Sequence, residues 1–423
     1  MSTAPSDDVV TDALAQAKPP FLRRVQIRGY KSIAFCDVTL EPLTILVGRN
    51  ASGKSNFLDA LAFLRDVMRF GVNGAVDEHG GVEGILCQTQ KDRVVSITIE
   101  CEYPISGDAV IWHARYRFDI ELLKTRPAKP RLEELRIEQG HWWTGFTNQA
   151  GNVTFGATAD GPFKRVWKMK ERPFLDTYGD TPAPEFLECL EAITTYNFNP
   201  EAIRLPRKPT PGRFLKRDGS NLASVIETTC EIEAWAVERV GRYLLAITKT
   251  TGFHGVLRSG GYETLRFHVS RDGNSPPLEF PAASMSDGTL RAFAALVAAF
   301  QMVPPHGSPS IVGIEEPETS LHPSATRALV DALDEATLRT QILLTTHSAD
   351  LLDNPTIKPE NVRVVQMIDG RTVIGPVDEA SVEIVARKLS TLGGLERENQ
   401  LEPDLDDQER QRHLEGNGAG PLG

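Results

Sequence analysis

The sequence predicts an α/β fold in which a mixed β-sheet presents a phosphate-binding loop and a group of acids, with an antiparallel β subdomain and a helical lobe attached. Three stretches predict it. Residues 43–47 form a short apolar run, followed by a glycine-bounded loop and an amphipathic stretch through Phe57, Leu58, Leu61, Phe63 and Leu64. This is the pattern of a buried strand, a tight loop and a helix. Residues 310–318 form a second apolar run closing on Glu315, Glu316 and Glu318, and residues 341–348 a third closing on His347. Open α/β sheets place ligands at the carboxyl ends of such strands.

Length and composition bound the answer. A chain of 423 residues exceeds one ordinary core, so two or three subdomains are expected. Hydrophobic residues make up 40% and charged residues 24%, an ordinary globular balance. A net charge of -11 argues against a surface that is wholly a polyanion receptor, while leaving room for local basic patches. The five cysteines contain no C-x-x-C pair and the nine histidines no metal-type spacing, which points away from a disulfide framework or zinc knuckle. Residues 1–19 lack the basic start and apolar run of a signal peptide and read as disordered. The longest apolar segment, 290–303, is interrupted by Arg291 and Gln301 and is too short for a bilayer. No membrane partner is expected, and the cytoplasm is the expected compartment.

In chain order, residues 21–29 read as an edge strand and 33–40 as a second strand leading into 43–47. The loop after it fits G-x-x-x-x-G-K-[ST] with Gly48, Gly53, Lys54 and Ser55. Glycines let backbone N–H groups close around phosphate oxygens, and the helix N-terminus adds partial positive charge. Lys54 reaches the outer phosphates in such a loop, and the Ser55 hydroxyl ligates a divalent cation. Gly48, Asn50, Ser52, Gly53, Lys54, Ser55 and Asn56 are therefore the candidate nucleotide contacts. By itself the loop says nucleotide, not function, and a glycine turn before an ordinary helix is the bland alternative.

Residues Gly29, Tyr30, Lys31, Ser32 and Ile33, followed by this loop, resemble the start of an ABC-type P-loop ATPase head of the SMC/RecF-like branch. The resemblance implies ATP with Mg2+ as ligands and adenine near the first strands. A glycine-rich turn region over 71–84 precedes strands at 93–101 and 110–122, an antiparallel pair by pattern. Such heads carry a glutamine that senses Mg2+ and the attacking water. Gln88 and Gln90 compete for that place, and Gln88 is taken as the metal-side candidate.

Residues 123–175 mix turns with short strand signals at 131–138 and 151–155. Lys164, Arg165, Lys168, Lys170 and Arg172 surround Trp167, a mixture that suits a phosphate backbone or, equally simply, a solvated strand face. Arg204, Arg207, Lys208, Arg213, Lys216 and Arg217 are threaded with Pro206, Pro209 and Pro211, which reads as a non-helical loop touching nucleic acid or serving as a connector. A helical stretch then opens with Asp218 or Ser220 as cap and continues to Leu244. Its D-G-x-N-L-A start is similar to the helical lobe of the same branch, and it is too short for the coiled-coil arms of SMC proteins.

Met285, Ser286, Asp287, Gly288 and Thr289 resemble the ABC signature, with Asp287 and Thr289 departing from its usual form. The resemblance implies that Ser286 and Gly288 clamp the γ-phosphate bound by a second subunit, so that two copies sandwich two ATP molecules. Read alone, the same residues are a helix cap. In the strand ending at 315, Glu315 takes the place of the usual Mg2+-coordinating aspartate, and Glu316 that of the base acting on the attacking water. Residues 319–323 resemble the D-loop of a dimer interface. His347 resembles the switch histidine that reports hydrolysis. A helix over 324–336, a hairpin over 362–374 and a last helix over 378–389 complete the lobe.

The expected organisation is a disordered start (1–19), an ATPase half with the loop (20–122), an inserted β-rich and helical region (123–260), a second ATPase half (261–390) and an acidic disordered tail (391–423). Asp404 and Asp406 are similar to the acidic pair of a TOPRIM nuclease, as fused to related heads in the overcoming-lysogenization-defect nucleases. The alternating strands and helices that would position such a pair are missing around them. The expected function is that of a slow ATPase, a nucleotide-gated clamp or sensor acting as a homodimer or higher homo-oligomer in DNA repair or processing. The basic loops near 164–172 and 204–217 would contact DNA. The alternative is a regulatory or scaffold ATPase of bacterial antiviral defence that controls a separate effector protein. A third reading takes Glu315 and the altered signature as signs that ATP is mainly a structural ligand.

Overall fold

The computed structural model describes residues 21–90, 92–104, 111–123, 128–157, 163–166, 173–178, 183–210, 214–271, 276–302 and 308–417. Strands β1 (Phe21–Tyr30) and β2 (Ile33–Thr39) lead into β3 (Leu43–Val47), and helix α1 (Lys54–Glu78) follows the loop. Helix α1 runs through the expected turn region but breaks helical geometry at Gly71, where φ is 78°. After α2 (Gly81–Ile85) come β4 (Val94–Pro104), β5 (Ile111–Glu121), β6 (Lys129–Gln139), β7 (Trp142–Gln149), β8 (Asn152–Ala157) and β9 (Phe163–Val166). These form one antiparallel sheet in the order β2-β1-β4-β5-β6-β7-β8-β9. The strands past 123, expected as part of an insertion, thus continue the sheet begun by the first two strands.

Helix α3 (Ala183–Glu191), strand β10 (Ile193–Tyr196) and helix α4 (Pro200–Arg204) precede the helical lobe of α5 (Leu222–Ile232) and α6 (Ala234–Thr248). A small antiparallel sheet, β11 (Thr251–Ser259), β12 (Tyr262–Val269) and β13 (Leu278–Pro281), leads to α7 (Asp287–Phe300). Then follow β14 (Ile311–Glu315), α8 (Pro323–Ala336), β15 (Gln341–Thr346), α9 (Ala349–Leu352), β16 (Val362–Ile368), β17 (Arg371–Pro376), α10 (Glu379–Ala386), α11 (Leu392–Arg397) and α12 (Leu405–Asn417).

The central sheet has the order β10-β14-β15-β3-β16-β17. Its pairs are parallel except the β16–β17 hairpin. Every residue of β3 and β15 is buried, as an apolar strand covered on both faces requires. Alternation along the strands divides the interior in two. Leu46 and Leu343 join the core shared with α1 and the antiparallel sheet, whereas Ile45, Val47, Ile342 and Leu344 face the helical lobe. The layers therefore bring the carboxyl ends of β14, β15 and β3 side by side.

The stretch 391–417 corrects the expectation of a disordered tail. Helix α11 buries Leu392 and Leu395, and Arg397 pairs with Asp350 at 2.6 Å. Helix α12 docks mainly through polar groups: Arg410 meets Asp37 at 2.6 Å, and Gln411 donates to Ile374 O at 2.8 Å and to Asp37 O. Composition misleads here because the docking uses few apolar side chains. Residues 1–19, Trp167, Lys168, Lys170, Arg172 and Arg213 lie outside the described residues. Among the described residues no helix is long and apolar enough to cross a membrane.

Candidate active site

The loop between β3 and α1 is shaped by its neighbours as well as by its glycines. Gly53 has φ 104°, and a Cβ there would lie 1.9 Å from Thr372 Oγ1. Thr372 belongs to β17 and donates to Ser52 O at 2.9 Å. Ser32 Oγ lies 2.7 Å from Thr372 Oγ1 and accepts from Asn56 Nδ2 at 2.6 Å. The first β-turn, the loop and the closing hairpin are thereby joined. Lys54 is buried, and its Nζ donates to Gly48 O at 2.6 Å and Arg49 O at 3.0 Å. Burial lowers its pKa, against the opposing fields of Glu316, Glu396 and Glu318. Ser52 Oγ is buried with no hydrogen-bond partner among the described residues. An unpartnered hydroxyl and a lysine held only by carbonyls fit a loop that takes phosphate oxygens.

Ser55, in the first turn of α1, donates to Glu315 Oε2 at 2.5 Å across 260 residues of sequence. The pair is a hydroxyl and a carboxylate, the hard oxygen donors that suit Mg2+. Gln88 is exposed, Gln90 donates to Ala34 O at 2.6 Å, and Cys87 N–H ties their loop to Gly29 O. Neither glutamine is among the residues bonded to Ser55 or Glu315. Arg217 is: its Nη2 lies 3.0 Å from Glu315 Oε1 and its Nη1 3.4 Å from Asp59 Oδ1.

Glu316 sits at φ 44°, a costly conformation for a side chain of this kind, with its N–H donating to Thr345 O at 3.0 Å. Its Oε1 lies 3.1 Å from His347 Nδ1. Both are part-exposed at the rim of the loop, as a group that meets water must be. Glu318 is different. It is buried, accepts from Thr346 Oγ1, and has its pKa raised by burial, so it braces the strand ends.

Ser286 caps α7 by accepting from Thr289 N–H at 3.2 Å, so the cap reading holds locally. Asp287 pairs with Arg204 of α4, which also donates to Met285 O at 3.0 Å. The aspartate in the signature thus has a partner on α4. A Cβ on Gly288 would lie 2.4 Å from Ser320 O, so only glycine lets the 319–323 turn approach. Ser32 and Thr372 escaped the sequence reading as site residues, and Arg204 and Arg217 were read as nucleic-acid contacts or connector residues, not as partners of the site acids. The two arginines were hidden in a basic, proline-rich stretch, and the only signal for Arg217 was its place immediately before the D-G-x-N-L-A run.

Helix α11 also reaches this region: Glu396 lines a cavity of about 450 Å3 together with Gly48, Arg49, Asn50 and Ser52. Burial raises its pKa, opposed by Lys54 and His347.

Two family profiles match overlapping parts of the chain. Residues 21–190 match "AAA ATPase domain", and residues 170–353 match "AAA domain, putative AbiEii toxin, Type IV TA system". The chain is 24% identical to the Old nuclease of Escherichia phage P2 over 361 residues. The matched profiles make the chain an ATPase, similar over most of its length to part of the Old nuclease. The alignment covers 78% of this ATPase and 57% of that relative, so it spans little more than half the relative's length. The ATPase is also similar in fold to an Smc head crystallised with the C-terminal winged-helix domain of ScpA: TM-score 0.51, 11% identity, 85% of this chain and 99% of that one covered. An Smc head with an extended coiled coil, bound to a ScpA domain derived from Pyrococcus furiosus, gives a TM-score of 0.48 at 12% identity, with 88% and 99% covered. By its matched ATPase profiles the chain is an ATP-hydrolysing enzyme, and its fold is that of an SMC head.

Proposed function

We propose that this ATPase is a nucleotide-gated clamp in which two copies enclose two ATP molecules. The observation that carries the reading is the meeting of Ser55 with Glu315, and of Glu316 with His347, beside the loop that holds Lys54. Lys54 and the loop N–H groups bind the phosphates. Ser55 and Glu315 would hold Mg2+, which neutralises charge between the outer phosphates when bound. Glu316 accepts the proton of the attacking water, and His347 orients the Glu316 carboxylate and follows the terminal phosphate. Ser286 bonds Thr289 and Gly288 lies against the Ser320 turn, with Arg204 on the flanking Met285 and Asp287, while the loop packs with Ser32 and Thr372. That separation supports completion of the clamp by a second copy, which closes with ATP and opens after hydrolysis.

Within that reading, the clamp acts in DNA repair or processing, supported by the likeness to a phage nuclease. Arg207, Lys208 and Lys216 are exposed and available to phosphates. A DNA affinity that falls steeply with salt and is lost when Arg207, Lys208, Arg213 and Lys216 are replaced tests it. A second reading, a regulatory subunit controlling a separate effector, is favoured by the pairing of Arg204 and Arg217 with acids of the same chain and by the toxin–antitoxin wording of one matched family. DNA binding indifferent to the four substitutions would turn the argument to that reading.

A further inference from the structure

We propose that Arg217 is a phosphate-sensing residue that joins occupancy of the ATP site to the helical lobe. The inference rests on the ATP-site reading above and deepens it. The backbone around Arg217 is built firmly. Asn197 N–H, just past β10, donates to Arg217 O at 2.9 Å, and Asn199 N–H to Asp218 O at 3.0 Å. Leu215 N–H donates to Gln301 Oε1 at 2.9 Å, and Gln301 in turn donates to Tyr196 OH at 2.7 Å. Lys216 N–H donates to Asn221 Oδ1 at 2.7 Å. The loop is therefore fixed against the end of β10, the strand paired with β14, and β14 ends at Glu315.

The side chain is the free part. It is 52% exposed while it spans from Asp59 to Glu315. Asp59 has other partners: Tyr30 OH at 2.6 Å, His79 at 3.2 Å and Lys31. Glu315 has Ser55. Both acids can release the guanidinium without being left bare. Glu315, if it held a divalent cation, would release the guanidinium, whose planar fork would then suit the adjoining phosphate oxygens. Five residues later the chain enters α5, so release of Arg217 from Glu315 loosens the tie between the end of β14 and the loop that leads into the lobe carrying α7 and Ser286.

The test is binding of AMP-PNP and of ADP, each with Mg2+, to wild type, Arg217→Ala, Arg217→Lys and Lys54→Ala, with amide exchange followed over residues 214–232. Arg217→Ala should weaken AMP-PNP about tenfold or more while changing ADP less than about threefold, and Arg217→Lys should recover part of the loss. Wild type should gain protection over 214–232 with AMP-PNP relative to ADP, and Arg217→Ala should not. Equal losses for both nucleotides, no loss, or unaltered protection in Arg217→Ala would overturn the proposal. If Arg217→Ala fails to fold, the same comparison in Arg217→Lys and Arg217→Gln decides it. Wild type and Lys54→Ala binding AMP-PNP alike would instead overturn the ATP-site reading beneath it.

Discussion

Replacing Glu315 by aspartate, one methylene shorter, tests whether the end of β14 is set for the longer acid. The carboxylate withdraws by about 1.5 Å, one carbon–carbon bond. Glu315 Oε2 accepts from Ser55 at 2.5 Å and Oε1 faces Arg217 at 3.0 Å. Withdrawal takes both donors to roughly 4 Å, beyond hydrogen-bond range. Freeing Glu315 of Arg217 removes a competitor for the cation, but the withdrawn carboxylate also loses its own reach to the cation beside Ser55; taken as a bond to a charged group of about 1.5–3 kcal/mol beyond that gain, the net loss is roughly 10- to 150-fold in an equilibrium constant. The assay is a Mg2+ titration of AMP-PNP binding, in which the Glu315→Asp midpoint should rise by a factor in that range. A midpoint equal to or below that of wild type refutes the reasoning, because it would mean that Glu315 is not the carboxylate that fixes the cation.

Three further outcomes are expected. Glu316→Gln should lower phosphate release by roughly 100- to 10,000-fold with nucleotide binding retained, measured in single turnovers; a loss below about tenfold would remove Glu316 as the base. Glu133, wholly buried in β6, is pushed up to about 7 by burial, against bonds donated by Leu175 N–H, Phe174 N–H and Tyr116 OH. A folded-state value above the ordinary one means that stability is full at low pH and is lost as pH rises through 7, by about 3 kcal/mol. Urea unfolding at about pH 5 and about pH 8 should show that slope in wild type and not in Glu133→Gln. Arg410→Ala should lower unfolding stability by about 1–2 kcal/mol, since Asp37 keeps Arg24 at 2.6 Å but loses its contact with α12. An unchanged urea midpoint would mean that the Arg410–Asp37 contact adds nothing to the docking of α12.

The strand, loop and helix at 43–64 were legible because local pattern and chemistry agree there: an apolar run, two glycines at close approaches, and a lysine at a helix start. The acids of β14 and the histidine after β15 were legible for the same reason. What escaped depends on partners distant in sequence. Arg217 finds Glu315 across 98 residues and Asp59 across 158, and no periodicity in a proline-rich stretch announces either. Thr372 shapes the phosphate loop from a hairpin 320 residues away from Ser52. The tail was misjudged because Gln411, Arg410 and Arg28 dock it with hydrogen bonds, including Arg28 to Glu415 O at 2.9 Å, and a mainly polar, acidic composition does not announce such partners.

The central claim is that two copies close on ATP and that Glu316 opens them by hydrolysis. Mass in solution of wild type and Glu316→Gln, each with and without ATP and Mg2+ and alongside phosphate release, tests it most directly. The account predicts that Glu316→Gln releases almost no phosphate and accumulates a species of twice the mass only when ATP is present. A mass indifferent to ATP, with Glu316→Gln still hydrolysing, would contradict both the clamp and the base.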